Sequence, residues 1–139
     1  MLASFLIPVY NTELAVLRLC INSVLKAAGG EHEVVVVDDA SDRAETLDFL
    51  SRCKSAGLEN LKLLRNSENS GISYSLNKGV DNATGALYAP VDHDDMVVTS
   101  GFRQIRSRLR RVFFFGAAGR RPEVPVARAA YPGGFGAGL

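Results

Sequence analysis

Several things this chain has little of narrow what it can be. It holds two cysteines, Cys20 and Cys53. Neither stands at metal-ligand spacing, so free buried thiols are expected rather than a disulfide or a zinc site, in keeping with a reducing compartment. Apolar runs are short. None approaches the ~20 residues of a membrane helix, and Met1 leads into the first run without the basic start of a secretory signal. Net charge is nearly absent, at +1 over 139 residues, so the whole chain carries no signal for nucleic acid or a membrane surface. A G-x-G-x-x-G after the first apolar run is missing, and so is a P-loop. Their absence argues against a nicotinamide dehydrogenase and a P-loop kinase.

What remains is a composition suited to one globular domain, 47% hydrophobic and 22% charged, with length enough for a single core. The near-neutral total hides a division. Residues 1–95 carry 14 acidic and 8 basic side chains, whereas residues 96–139 carry eight arginines against one acid, Glu123. From residue 101 onward, Gly, Ala, Arg and Pro make up 24 of 39 residues, and Lys and Asp are absent. The spacing reads as a domain over 1–100 followed by an atypical tail over 101–139. Arg103–Phe115 could open as a helix, and from Pro122 the prolines and glycines break any regular element.

Within the first part, apolar runs alternate with helical periodicity. Ala3–Val9 reads as a buried strand. Thr12 is placed to cap a helix over Glu13–Ala28, whose apolar positions Leu14, Leu17, Ile21, Val24, Leu25 and Ala28 share one face and which Gly29 and Gly30 end. Glu33–Val37 is a β-branched run without alternation, as in a parallel strand buried on both faces. Asp42 and Glu45 have the spacing of a capping box for a helix over Arg43–Ala56, closed by Gly57. Leu61–Leu64 is a third strand, Ile72–Ala83 a third helix with Gly85 just beyond it, and Ala86–Val91 a fourth strand. Such alternation predicts an α/β fold with an open, mostly parallel sheet and helices on both faces. Ligands of such sheets bind beyond the carboxyl ends of the strands.

Polar clusters sit at those ends. Asp92-His93-Asp94-Asp95 packs three carboxylates into one turn, where they repel one another unless a cation compensates. Oxygen donors suit Mg²⁺ or Mn²⁺, and a diphosphate would complete the coordination. A solvated acidic turn is the alternative, and His93 reads as a hydrogen-bonding or exposed imidazole more than as a ligand. Asp38 and Asp39 end the second strand, where a carboxylate can accept from a base or ribose; the alternative is a plain helix cap made by Ser41, Asp42 and their neighbours. Pro8-Val9-Tyr10-Asn11 offers the Tyr10 ring for stacking, or for ordinary packing. Asn69-Ser70-Gly71 precedes a helix and is read as an anion site or a cap.

Taken together, these segments resemble the family 2 glycosyltransferases of the GT-A, Rossmann-like fold. The runs that carry the likeness are FLIPVYN (5–11), CINSVL (20–25), EVVVVDDASD (33–42), NSGISYSLNKGVDNATG (69–85) and LYAPVDHDDMV (87–97). The resemblance implies that Pro8, Tyr10 and Asn11 border the nucleobase, that Asp38 and Asp39 hold the base or ribose, and that Gly71 lies near the nucleotide. It implies that Asp92, His93 and Asp94 face the donor, with Asp92, Asp94 and Asp95 placing a divalent cation on the diphosphate. The implied reaction is hexosyl transfer with inversion, from a nucleoside-diphosphate-sugar to a saccharide or lipid-linked acceptor, in bacterial surface polysaccharide or envelope synthesis. The implied location is the cytoplasm, or the inner face of the plasma membrane. Nucleic acid is not an expected partner. A nucleotidyltransferase on a similar layout would need a Gly-rich, basic loop after the first strand, which Pro8–Asn11 does not supply.

The likeness stops near residue 100. The catalytic base is expected downstream, in an acceptor-binding half this chain lacks, and Glu123 has no matching context. The sheet is thus expected to be incomplete on its C-terminal side. A tail read out of frame from a GC-rich message is the favoured expectation, ahead of a basic tail with an anionic partner and of a variant terminal segment. The competing functional reading is a truncated, inactive nucleotide-sugar-binding fragment.

Overall fold

The computed structural model describes residues 3–29 and 31–104. Strand and helix alternate through them: β1 (Ala3–Val9), α1 (Leu14–Ala28), β2 (Glu33–Asp38), α2 (Ala44–Ser55), β3 (Leu61–Arg65), α3 (Ile72–Asn82) and β4 (Leu87–Pro90). Residues 99–104 are helical as well. The expected reading of the tail beyond 104 and of Gly30 lies outside the described residues.

The sheet has the order β3-β2-β1-β4, and each of its three pairings is parallel. All seven residues of β1 and all six of β2 are buried, because these two central strands are covered on both faces. On one face Phe5, Ile7, Val9, Val34 and Val36 pack with Leu17, Cys20, Ile21, Val24 and Ala28 of α1 and Leu50 of α2. On the other, Leu6, Val35 and Val37 meet Leu76 and Val80 of α3. The unbroken valine run of β2 thus feeds two core layers at once, each fully buried Val, Leu or Ile contributing roughly 1.5–3 kcal/mol. Gly79 lets α3 lie close, since a Cβ there would touch Leu6 Cδ2 at 3.4 Å and Val37 Cγ2 at 3.5 Å. The expected α/β architecture, parallel sheet and two-sided helix cover are present.

Two prolines set where β4 leaves the sheet. Leu6 O accepts from Val91 N at 2.9 Å, so the alternate residues Ser4, Leu6 and Pro8 turn their backbone groups toward β4. Pro8 has no N–H to carry that ladder further, and the pairing ends at Leu6 with Pro90. By the same alternation the Pro90 nitrogen points away from β1, toward the outer edge where proline is tolerated. The chain is then free to turn into the acidic segment.

Neither expected cap forms, and before α2 a longer-range bond takes its place. Glu13, without a side-chain cap bond, holds the position before α1, and the buried Thr12 hydroxyl has no partner among the described residues. The Thr12 carbonyl accepts from Thr46 Oγ1 of α2 at 2.9 Å, tying the start of α1 to α2. Before α2 the Asp42–Glu45 box does not form. Asn11, at φ 47, brings its Oδ1 to within 3.0 Å of both Asp42 N and Arg43 N. Gly29 (φ 54) and Gly57 (φ 63) close α1 and α2 as expected.

Candidate functional site at the carboxyl rim

Because the strands are parallel, the segments that follow them share one rim: Tyr10–Asn11, Asp39–Asp42, Asn66–Gly71 and Val91–Asp95. From β1 the chain winds outward through β2 to β3, then crosses back to place β4 on the other flank of β1. Winding therefore reverses between β1 and β4, the place where open α/β sheets leave a crevice for ligands. Tyr10–Asn11 and Asp92–Asp95 are the segments that flank it.

Asp38 and Asp39 are both buried and both engaged. Asp38 Oδ1 accepts from Ser41 N at 3.0 Å, and its Oδ2 is ion-paired with Arg65, whose guanidinium also donates to Ser41 O at 2.8 Å. Asp39 Oδ1 accepts from Asn66 Nδ2 at 2.7 Å and Ser70 N at 2.8 Å, and its Oδ2 from Gly71 N at 2.7 Å. Burial works to raise the Asp39 pKa, but the bonds from Ser70, Asn66, Gly71 and Ser75 outweigh it and hold the carboxyl below its ordinary range. Gly71, at φ 87, holds the position before α3. The cap of α3 is therefore the Asp39 carboxylate, from a loop 31 and 32 residues away in sequence. Asn69-Ser70-Gly71 contributes backbone N–H groups rather than a side-chain cap.

Around Pro8 the two neighbours part company. Pro8 is a buried strand residue. Tyr10 is 44% exposed at the rim. Asn11 is a clamp: besides serving the start of α2, it donates from Nδ2 to Asp42 Oδ1 at 2.8 Å and from its backbone N to Ser41 Oγ at 2.9 Å. Its side chain ties the loop after β1 to the loop after β2.

The acidic segment is different in kind. Asp92, Asp94 and Asp95 are all exposed, and none forms an ion pair among the described residues. Asp95 N donates to Asp92 O at 3.0 Å, closing the turn. His93 is half-buried, with a buried Nδ1 that has no hydrogen-bond partner among the described residues. No three His, Cys, Asp or Glu side chains among the described residues converge as a ready-made metal cluster. The donor chemistry nevertheless fits a hard cation held by one or two carboxylates and completed by substrate phosphates, the usual arrangement for Mg²⁺.

Cys20 lies beneath this turn, buried and free, with Sγ 3.4 Å from Asp92 O. Burial first, then the charges of Asp95, Asp94 and Asp92, push its thiol up to about 11. Cys53, expected to be buried, is only half-buried: it continues the stripe of Thr46 and Leu50 into the last turn of α2.

Sequence reading missed several residues that build the rim. Asn66 is buried and joins Asp39, Ser75 Oγ (3.0 Å) and Lys78 Nζ (3.0 Å). Arg65 and Ser23 carry no motif in the sequence, since Asp38 and Val97 are remote from them; Ser41, expected as a helix cap, instead accepts from Asn11 N through its Oγ at 2.9 Å. The one local signal is Ser23, a serine beside the apolar inner face formed by Leu17, Cys20, Ile21 and Val24 of α1.

Comparison with known proteins agrees with this geometry. The pattern of the family described as Glycosyl transferase family 2 matches residues 4–124. The chain is 33% identical over 93 residues to glycosyltransferase GlyA of Streptococcus pneumoniae, covering 66% of this chain and 13% of that protein. It is 32% identical over 93 residues to glycosyltransferase AglE of Haloferax volcanii, covering 66% of this chain and 30% of that protein. The solved structure of S. aureus TarS 1–349 in complex with UDP-GlcNAc superimposes with a TM-score of 0.70 at 30% identity, over 80% of this chain and 32% of that one. The chain thus spans a third or less of each of these three proteins. With the family pattern running through all four strands and the acidic turn, the chain belongs to glycosyl transferase family 2.

Proposed function

We propose that this chain carries the donor-binding part of an inverting glycosyltransferase, which moves a sugar from a nucleoside-diphosphate-sugar to an acceptor hydroxyl. One observation carries the reading. The exposed, unpaired carboxylates of Asp92, Asp94 and Asp95 follow β4 at the reversal of strand order, where a ligand bearing a cation and phosphates would neutralise them. Complexes of the similar TarS with UDP and UDP-GlcNAc favour a uridine-diphosphate sugar as donor. A hexosyl donor, a saccharide or lipid-linked acceptor, envelope polysaccharide synthesis and action at the inner membrane face complete the proposal. No helix among the described residues is long and apolar enough to cross a membrane.

Asp92 and Asp94 would hold Mg²⁺ or Mn²⁺, with Asp95 and His93 adjacent. When bound, the cation supplies Lewis acidity to the leaving diphosphate. The chain's own residues orient the donor. Tyr10 offers its exposed ring to the base. Asp39 fixes the start of α3, so that Gly71 borders the nucleotide, and its Oδ2 keeps acceptor capacity for a base or ribose donor. Asp38 and Asn11 hold the neighbouring loops in register with Pro8. The acceptor oxygen attacks the anomeric carbon as the bond to diphosphate breaks, and its proton goes to a base for which no described residue is assigned.

Calorimetric titration of UDP tests this. Affinity is expected to rise at least about tenfold when Mn²⁺ replaces EDTA, a gain of about 1.4 kcal/mol, and the rise should vanish in an Asp92→Asn, Asp94→Asn double variant. Equal affinity in all arms would overturn the metal-assisted reading. Release of free sugar from UDP-sugars would separate a working enzyme from a binding fragment.

A further inference from the structure

The acidic turn is held at both ends by one helix. Cys20 and Ser23 stand three residues apart on α1 and so face the same side. Cys20 Sγ reaches Asp92 O at 3.4 Å, at the entry to the turn. Ser23 Oγ accepts from Val97 N at 3.0 Å, at its exit. The Ser23 hydroxyl donates to Cys20 O at 2.8 Å, and this turns its lone pairs toward Val97. Val91 and Val97, just outside the acidic residues, pack on the core face that α1 covers. Beyond them Phe102 rests on Phe5, with ring centroids 4.8 Å apart. The stretch between the two α1 bonds is exposed apart from the half-buried His93, and it carries all three carboxylates.

We propose that Ser23, assisted by Cys20, is a positioning residue for the donor-binding turn, setting the separation at which its carboxylates meet a divalent cation. The proposal rests on the donor-binding reading above. Ser23 touches neither donor nor cation and acts through the backbone. An S–H···O contact is weak, so the hydroxyl bond bears most of the restraint.

Three variants of the full chain test it: Ser23→Ala, Ser23→Thr and Cys20→Ala. Two readouts are used, amide hydrogen exchange at Val97 and the strengthening of UDP binding by Mn²⁺. In wild type the Val97 amide is expected to be protected. Ser23→Ala should speed its exchange about fivefold or more, the worth of one net hydrogen bond. The same variant should lower the Mn²⁺-dependent gain in UDP affinity by a similar factor, leaving UDP affinity in EDTA nearly unchanged. Ser23→Thr, which keeps a hydroxyl able to bond back to the helix, should restore both readouts. Cys20→Ala should give a smaller change in the same direction. An unprotected Val97 amide in wild type would overturn the clamp. So would an equal loss of UDP affinity with and without Mn²⁺, or a threonine that fails to rescue. If Mn²⁺ has no effect on wild type while Val97 is protected and Ser23→Ala releases it, the donor-binding reading fails and the clamp stands as a restraint on the turn alone.

Discussion

At the amino ends of the strands, Glu33 lies buried and accepts from Ser4 Oγ and from the backbone N–H groups of Thr84 and Gly85, with Lys62 Nζ 3.9 Å away. At the carboxyl ends, Asp39 lies buried and accepts from Asn66, Ser70 N and Gly71 N. The two carboxylates do the same work on opposite rims, since Gly71 and Ser70 precede α3 and Thr84 and Gly85 follow it. Each clips one end of α3 to the sheet. At the amino rim the Glu33 charge is engaged by several donors, and the packing is so close that a Cβ on Gly85 would lie 2.7 Å from Ala3 C and Ser4 N. The carboxyl rim spends Asp38 and Asp39 in the same way and then carries three more acids that the fold does not use. On the proposed donor-binding reading, it is this cluster of exposed carboxylates in one turn, unpaired among the described residues, that sets the carboxyl rim apart.

The sharpest way to break this comparison is to remove a clip. Asp39→Ala would leave the buried Asn66 amide and the Ser70 and Gly71 N–H groups short of an acceptor, and should cost about 3 kcal/mol in urea unfolding. A loss under about 1 kcal/mol would mean that Asp39 does not hold α3. A milder test is acid. Burial works to raise the Glu33 pKa, yet the bonds from Ser4, Thr84 and Gly85 hold it below its ordinary range, as those on Asp39 do there. Carboxyls depressed in the folded state stabilise fully above their unfolded values, near 3.9 for Asp and 4.3 for Glu, and lose that contribution as pH falls through the folded ones. Stability should therefore fall steeply below about pH 4, and Glu33→Gln should flatten that fall without altering UDP affinity at neutral pH. The smallest stability effect belongs to the surplus acids. Asp94→Asn should change unfolding free energy by less than about 0.5 kcal/mol. A larger loss would place Asp94 with the clips.

Most of the fold is legible in the sequence because its signals are local. The valine run, the helical stripe of Leu17, Ile21 and Val24, and the glycines at 29 and 57 mark their elements within a residue or two of the observed bounds. The caps are not legible, for a physical reason. Thr12 and the Asp42–Glu45 pair have the right spacing, but Asn11 supplies the bonds before α2 and Asp39 those before α3. These partners meet only after the sheet has formed. The site divides the same way. Tyr10 and Asp92–Asp95 stand out by chemistry and position. The hub at Asn66, the Arg65 pairing with Asp38 and the bond from Val97 to Ser23 depend on contacts across 9 to 74 residues of sequence.

The most direct test of unequal rims is a map of where a cation settles. With UDP bound, substoichiometric Mn²⁺ added to the isotope-labelled chain should broaden the backbone amides of Tyr10, Gly71 and Asp92–Asp95, leaving Thr84, Gly85 and Glu33 sharp. Broadening centred on the amino rim, or spread evenly over both, would contradict the account.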